Sequence, residues 1–256
     1  MRLTIACALV LVAAATACGL EVWNSLVINE VYYYPPGEDM HNEYLELLNA
    51  GGTPVSLDGA VITDEGDSGM PEGVFRFPGR PGGHSILLGA GEVLLIAVDA
   101  VWGGIEPDLT TADWEFWHPG DDHDNPDVPN IVLTSGSDAD PAFANSGDGI
   151  LIATGEDSTA AIDCRTVVDG VNWGGVADPV PISWLDCFDP AFADPCPQGN
   201  TIGRCPEGVD HDVSSAHDWV MSFPTPGEPN IPSYPSDCAT PVEHLSWGRL
   251  KALYRP

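Results

Sequence analysis

Glycine and proline interrupt this chain too often for long helices to form. The 256 residues include 28 Gly and 24 Pro, and neither residue is tolerated well inside a helix. Before the last dozen residues, apolar-periodic stretches longer than about ten residues therefore do not survive uninterrupted. Short β-branched and aromatic runs bounded by turn residues predict strands at 26–34, 44–48, 55–63, 74–77, 85–88, 93–98, 131–133, 149–153 and 166–173.

Nine short strands with turn residues between them predict an all-β sandwich. The turns at 51–52, 58–59 and 146–149 contain the Gly and Asp residues that tolerate the positive φ angles of tight turns. Residues 93–98 are apolar on both faces, so we expect a central strand there.

Seven sequence blocks, the first of them a hairpin in two parts, give the chain a family resemblance. Each block alone is little more than a strand with its turn, but the blocks occur in family order across residues 24–230. Together they resemble the lamin tail domain. They are V-I-N-E-V at 27–31 with N-E-Y-L-E-L-L-N at 42–49, S-L-D-G-A-V-I-T-D at 56–64, F-R-F-P at 75–78, A-G-E-V-L-L-I-A at 90–97, A-N-S-G-D-G-I-L-I-A at 144–153, V-V-D-G-V-N-W at 167–173 and W-V-M-S-F-P-T-P-G-E-P-N at 219–230.

The resemblance implies an immunoglobulin-like β-sandwich, which bacteria usually carry on secreted or surface proteins, often beside a catalytic domain. We expect about nine short strands in one domain over residues 24–232, with two long loop insertions at about 99–143 and 176–218. Residues 233–256 should form a Pro-rich linker and a short C-terminal helix. The insertions are longer than the family needs, and such loops in compact domains tend to be functional or disordered.

The N-terminus has the pattern of a signal peptide. Arg2 precedes an apolar run over 3–14 that is too short to span a membrane, and Ala15-Thr16-Ala17 is an A-x-A-like cleavage site. We therefore expect residues 1–17 to be removed and the protein to be exported, either secreted or held at the cell surface. Cys18 follows directly and is a candidate for lipidation in an outer-membrane lipoprotein. No later apolar run is long enough to span a bilayer.

Export makes disulfides the expected state of the remaining cysteines. Cys187, Cys196 and Cys205 are spaced evenly by nine residues in sequence rich in Pro and Gly, which predicts a stapled loop. A zinc site completed by His211 or His217 is the alternative, although zinc ligands usually come in close pairs such as C-x-x-C. The disulfide candidates are Cys164, Cys187, Cys196, Cys205 and Cys238.

The net charge of the chain restricts the classes of partner that it can bind. Thirty-nine Asp and Glu against eight Lys and Arg give a formal net charge of -31. Such a surface repels phosphate backbones and anionic lipid but attracts cations, so nucleic acid is not an expected partner.

The acidic run at 120–127 is a candidate calcium site. Asp121, Asp122, Asp124 and Asp127 offer closely spaced carboxylates, and Ca²⁺ takes six to eight oxygen ligands. The run lacks the EF-hand spacing, and the alternative is a solvated acidic loop. A weaker alternative is a transition-metal site formed by His118 and His123 of the same segment.

Three tryptophans fall in the first insertion. Trp102, Trp114 and Trp117 lie within sixteen residues and are candidates for a platform on which sugar rings or a partner protein stack. The alternative, which we favour, is a cap over the open end of the sandwich, because aromatic side chains bury large areas.

The C-terminal segment differs in kind from the rest. It combines apolar residues at helical spacing with three of the eight basic residues. Two roles are open, an amphipathic helix docked on the acidic domain and a sorting or anchoring signal, since the segment resembles endings of exported proteins in some Gram-negative lineages. The residues are Trp247, Arg249, Leu250, Lys251, Leu253, Tyr254 and Arg255.

Catalytic motifs are missing from the sequence. It contains no G-x-S-x-G elbow, H-E-x-x-H helix or glycine-rich phosphate loop. We therefore predict a non-catalytic exported binding, adhesive or scaffolding module of the cell surface or extracellular matrix. Its expected ligand is a protein or polysaccharide, and Ca²⁺ is a candidate stabiliser. The alternative is a secreted hydrolase with a site built on residues 99–143.

Overall fold

A computed structural model describes most of the chain between residues 25 and 233. The described residues are 25–37, 42–64, 73–79, 85–101, 107–117, 123–136, 141, 143–154, 166–174, 191–210 and 218–233. Their strands are β1 Leu26–Tyr32, β2 Tyr44–Asn49, β3 Val55–Ser56, β4 Ala60–Asp64, β5 Gly73–Arg76, β6 Leu87–Leu88, β7 Val93–Ala97, β8 Trp114–Trp117, β9 Asn130–Gly136, β10 Gly147–Thr154, β11 Val167–Gly174, β12 Ala191–Ala193, β13 Thr201–Arg204, β14 Trp219–Phe223 and β15 Ile231–Pro232.

Thirteen of these strands form one continuous, open sheet, and β3 pairs with β6 separately. The order in the large sheet is β12-β11-β10-β4-β5-β9-β8-β7-β2-β1-β13-β14-β15. The sheet folds over on itself, so that β11 in one half packs against β1 in the other. The two facing layers confirm the predicted immunoglobulin-like β-sandwich.

The core lies between the layers and is built from alternate strand residues. In β2, Leu45 and Leu47 point into it, whereas Tyr44 and Glu46 lie on the opposite face of the strand, as the two-residue period of a strand requires. Trp173 of β11 is fully buried and stacks on Tyr33 with ring centroids 4.8 Å apart. Because the V-V-D-G-V-N-W block that ends in Trp173 resembles a lamin tail strand, the sequence predicts this residue in the core, and its burial confirms the prediction.

The predicted strands are confirmed at all nine positions. The segment at 55–63 is divided into β3 and β4 by a turn in which Gly59 has a φ of 78°. Strand β7 has the predicted central position, with β2 on one side and β8 on the other.

Both predicted insertions also contain short strands. The predicted strand β9 and the additional strand β8 lie within 99–143, and β8 runs parallel to both β7 and β9. Because β9 also pairs with β5, the first insertion joins the two layers into one hydrogen-bonded sheet. Strand β13 lies within 176–218 and pairs with β1 and β14. The sequence analysis did not predict β8 or β13, because each is only four residues long.

A buried arginine connects the two layers. Arg204 at the end of β13 is fully buried, and its guanidinium holds both oxygens of Asp169 on β11 at 3.0 and 2.9 Å. Its Nε donates to the Ile28 carbonyl at 2.7 Å, while the Ile28 amide donates to Asp169. The guanidinium carbon lies 4.8 Å from the centre of the Trp219 ring. The side chains of two further aspartates, Asp210 and Asp218, approach it at 3.3 and 3.7 Å.

We predict that Arg204→Met lowers the free energy of unfolding by about 3–5 kcal/mol, because it leaves Asp169 buried without its cation. Urea denaturation followed by tryptophan fluorescence measures the change. Arg76→Met, at a half-buried arginine of β5, serves as the control and should cost about 1 kcal/mol or less. Adding Asp169→Asn to Arg204→Met should recover part of the loss. An Arg204→Met variant as stable as the control would contradict this role.

Candidate functional site

A groove of about 630 Å³ lies beside β2 and β7, next to the turn between β14 and β15. Its apolar lining comes from five aliphatic side chains, and Leu87 among them is 59% exposed. These are Leu48, Leu87, Leu88, Val93 and Leu94. Four carboxylates form its rim, from Glu92, Asp113, Glu207 and Glu228. We refer to it as the acidic groove.

Backbone amides hold three of the rim carboxylates in place. Glu92 accepts a hydrogen bond from Gly89 N at 2.6 Å, and Asp113 accepts one from Leu95 N at 3.0 Å. Glu207 accepts one from Asn230 N at 2.9 Å. The only Lys or Arg side chains in the described residues are Arg76 and Arg204, and neither lines the groove. The rim is therefore negative without a lining cation to offset it.

A β-bulge in β1 lies behind the groove. The register between β1 and β2 shifts after Ile28, so that Asn29 is the extra residue and Glu30 faces Glu46 directly. Both carboxyl groups are fully buried. Like charges in directly opposed positions repel each other, and burial disfavours their ionised forms. We call Glu30 and Glu46 the buried carboxyl pair.

The two members of the pair have different surroundings. Glu30 accepts hydrogen bonds from Thr201 Oγ1 at 2.6 Å and from Thr225 Oγ1 at 3.1 Å. Glu46 accepts one from Gly227 N, while its Oε2 has no hydrogen-bond partner. Burial raises the pKa of both carboxyls, and the charge of Glu30 raises the pKa of Glu46 further. At neutral pH the pair therefore retains at least one proton.

Residues 224–230, which we call the covering loop, close over the pair and connect it to the groove. Thr225 N donates to the Tyr44 hydroxyl at 3.0 Å, and Asn230 Nδ2 donates to the carbonyls of Asn29 and Arg204 at 3.1 Å each. Gly227 lines the groove, has a φ of 73° and binds Glu46. The rim and the buried pair are thus one connected structure.

A family model described as Lamin Tail Domain matches residues 23–174. The chain belongs to the lamin tail domain family. The match spans β1 to β11 and so includes both members of the buried carboxyl pair, while the covering loop follows it. The family is a non-enzymatic immunoglobulin-like domain, which indicates a binding or scaffolding module at a coarse level.

A solved structure supports the same fold. The crystal structure of a DUF4876 family protein from Bacteroides thetaiotaomicron matches with a TM-score of 0.59 and 16% sequence identity, covering 82% of this chain and 75% of that chain. At this identity the likeness shows the fold alone. No curated protein matches this lamin tail domain.

The sequence analysis did not identify the buried carboxyl pair. The available signal was an ionisable residue within each of two short apolar strands, in V-I-N-E-V and in Y-L-E-L-L. Strand alternation places such residues on a solvent-facing surface. The covering loop that buries this face comes from about 180 residues further along the chain, as the 181-residue separation between Gly227 and Glu46 shows.

Of the four predicted calcium ligands, Asp121 and Asp122 lie outside the described residues. Asp124 and Asp127 are exposed, and Asp124 accepts a hydrogen bond from Asn130 Nδ2 at 2.6 Å. Within the described residues, no three His, Cys, Asp or Glu side chains are arranged to hold a metal ion. The alternative ligand His123 has its Nδ1 4.0 Å from an oxygen of Asp99, and His118 is not described. Calcium binding stays a prediction.

Glu115 of β8 anchors the loop that carries these aspartates. Its carboxylate accepts hydrogen bonds from Ala100 N at 3.1 Å and Asn125 N at 2.9 Å. Burial, with smaller contributions from the charges of Asp124 and Asp99, raises the pKa of Glu115 to about 7. Both oxygens of this buried carboxyl are therefore used to hold the backbone at Ala100 and Asn125.

The tryptophans of the first insertion are partly described. Trp114 is half-buried, packs against the core and meets Phe77 edge-on with ring centroids 5.4 Å apart. Trp117 on the same strand is also half-buried, and Trp102 lies outside the described residues. The packing of Trp114 favours the cap over the exposed stacking platform.

Cys196 was a disulfide candidate, but the structure does not bear this out. It is a free, buried thiol within the core, and burial raises its pKa. Its amide donates to the Tyr33 hydroxyl at 2.7 Å, and its Sγ lies 3.1 Å from the Asn200 carbonyl oxygen. Cys164, Cys187 and Cys238 lie outside the described residues, so the disulfide of Cys205 stays a prediction.

Several predicted features lie outside the described residues. They are the signal peptide at 1–17, the lipidation candidate Cys18, the histidines of the zinc alternative and the C-terminal helix with its apolar and basic residues. In the part of the chain that is described, no helix has the length and apolar character needed to cross a membrane.

We predict that the buried carboxyl pair makes stability fall as pH rises. The folded state keeps a proton that the unfolded chain releases above the ordinary glutamate value of 4.5, so the contribution is complete below that value and is lost as pH passes the raised pKa. Glu46→Gln should flatten the decline between about pH 5 and about pH 9 by up to about 1.4 kcal/mol per pH unit. Urea midpoints across this range measure it, and the exposed Glu228→Gln is the control. If the urea midpoints of wild type and Glu46→Gln change in parallel with pH, the buried pair does not retain a proton.

Proposed function

We propose that this lamin tail domain is an exported, non-catalytic binding module that holds a cationic, partly apolar segment of a surface or matrix protein in the acidic groove. One observation carries the proposal. Five aliphatic side chains and four carboxylates share a groove of about 630 Å³, and no Lys or Arg of the described part of the chain lines it.

Both parts of the groove favour such a ligand. Covering the aliphatic lining with an apolar side chain removes apolar surface from water, which stabilises a complex by about 25 cal/mol per Å². The exposed Leu87 offers part of that surface. The rim carboxylates attract cations over longer distances and thereby raise the association rate and the specificity.

The lining also favours a polypeptide over a polysaccharide. Sugar rings bind proteins largely through aromatic faces, and among the described residues no aromatic side chain lines this groove. Export to the cell surface or matrix is supported by the signal-peptide pattern at residues 1–17 and by the strongly acidic composition.

The hydrolase alternative has weaker support. Its best described candidate is Glu115, the carboxyl with a raised pKa in the first insertion. Both of its oxygens accept backbone hydrogen bonds, which suits an anchor for the loop better than a general acid or base.

Binding to a synthetic peptide of alternating leucine and lysine tests the proposal. We expect Glu228→Lys to weaken binding by roughly fivefold, which corresponds to about 1 kcal/mol for one reversed rim charge. The matched control is Asp194→Lys, which makes the same charge change at an exposed residue outside the groove. Fluorescence anisotropy of a labelled peptide measures both affinities. Equal weakening by the two variants would mean general attraction to an acidic surface and would refute the groove as the site.

We also propose that Ca²⁺ stabilises the loop of Asp121, Asp122, Asp124 and Asp127. A cation that binds only the folded state raises stability by mass action, and it offsets the repulsion among these carboxylates. Millimolar Ca²⁺ should therefore raise the Tm more than NaCl of matched ionic strength does. Asp122→Asn with Asp124→Asn should remove most of the excess, because ligand charge sets affinity in such sites. Differential scanning fluorimetry measures the shifts, and equal shifts with both salts would rule calcium out.

A further inference from the structure

The chain contains one segment with the chemistry that the acidic groove requires. Residues 244–256 read H-L-S-W-G-R-L-K-A-L-Y-R-P and carry three of the eight Lys and Arg of the chain. Lys251 among them is the only lysine in the sequence. Of the remaining five basic residues, Arg2 lies in the predicted signal peptide and Arg204 is fully buried. The segment is therefore the main concentration of positive charge available to a very acidic domain.

The described chain also ends close to the groove. Pro229 lines the groove, and the last described residue is Ser233, four residues later. Four residues span at most about 14 Å. The thirteen residues that follow before Trp247 span up to about 43 Å when extended. The chain is therefore long enough for the segment to reach the groove of its own domain without any rearrangement of the sandwich.

We propose that the C-terminal segment, residues 244–256, docks in the acidic groove of its own chain. Its basic residues Arg249, Lys251 and Arg255 lie against the rim carboxylates, and its apolar residues, led by Trp247 and Leu250, cover the aliphatic lining. The proposal uses the same groove as the proposed function and adds a resident occupant to it.

An occupant on the same chain changes how the groove works. A tethered segment acts at an effective concentration in the millimolar range for a short flexible linker, so an external partner must displace it. Weak, non-specific cationic ligands would then be excluded from the groove. Only partners that bind the groove more tightly than the segment would displace it. Leu87, which is 59% exposed in the described residues, is the side chain that such docking would cover.

Zero-length cross-linking of the mature chain tests the docking, because only one lysine is present. A carbodiimide activates a carboxyl group, and the Lys251 amine then attacks its carbonyl carbon. An amide bond forms, and the carboxyl oxygen leaves with the reagent as a urea. Peptide mapping by mass spectrometry identifies the carboxylate that was joined. We expect links from Lys251 to the rim, chiefly to the exposed carboxylates of Glu92 and Glu228.

Two comparisons make the result decisive. Glu228→Lys with Glu92→Lys should lower the yield of Lys251 cross-links at least fivefold, whereas Asp127→Lys with Asp194→Lys, at exposed sites outside the groove, should leave it unchanged. A mixture of ¹⁴N- and ¹⁵N-labelled protein separates links within one chain from links between chains. Links spread over many surface carboxylates, or links mainly between two chains, would overturn the proposal.

The outcome is independent of the proposed function. The alternating leucine-lysine peptide is measured again on the Arg249→Glu, Lys251→Glu, Arg255→Glu variant. If the wild type forms rim cross-links but neither protein binds the peptide, the docking proposal stands and the proposed external ligand is refuted. Peptide binding that tightens at least fivefold in the variant is expected if both hold. If both proteins bind the peptide equally and no rim cross-links form, the proposed external ligand stands and the docking proposal is refuted.

Discussion

The contact between Arg204 and Asp169 closes a ring around the backbone of Ile28 in β1, and the two layers of the sandwich meet there. Asp169 accepts the Ile28 amide while Arg204 donates to the Ile28 carbonyl, so both backbone groups of one residue are fixed by a salt bridge that crosses the core. Buried ion pairs contribute little net stability when they are compared with apolar replacements, but removing one partner is costly. In a chain with 39 acidic and eight basic residues, placing a cation there leaves almost no positive charge for the described surface.

The buried carboxyl pair differs from this ion pair, because it places two acidic side chains together with no described cation beside them. Burial raises the pKa of both carboxyls, so the pair keeps a proton at neutral pH while Glu30 accepts hydrogen bonds from Thr201 and Thr225. The covering loop depends on this arrangement, since Thr225 and Gly227 donate to the pair, and Asn230 ties the same loop to the Arg204 carbonyl. The shape of the acidic groove therefore depends on both buried charge networks.

Local pattern in the sequence was enough for the strands from β1 to β11, apart from β8, and for the inward position of Trp173, because alternation and turn residues are properties of neighbouring positions. The resemblance to the lamin tail domain added the immunoglobulin-like sandwich. The site was not predictable in this way. Glu46 resembles an ordinary outward strand residue until Gly227 covers it, and β13 is too short to be recognised before its pairing with β1 is known. Cys196 was misassigned for the same reason, since spacing along the chain does not reveal burial.

The strand directions at one edge of the sheet decide how the domain carries a mechanical load. Strands β1, β13, β14 and β15 are successive antiparallel neighbours, so the chain enters at Leu26 and leaves after Pro232 toward the same end of that layer. Tension applied between these two points peels the strands apart one hydrogen bond at a time and does not shear several bonds together. Force applied between Leu26 and Pro232 therefore acts first on the β14–β15 edge of this layer.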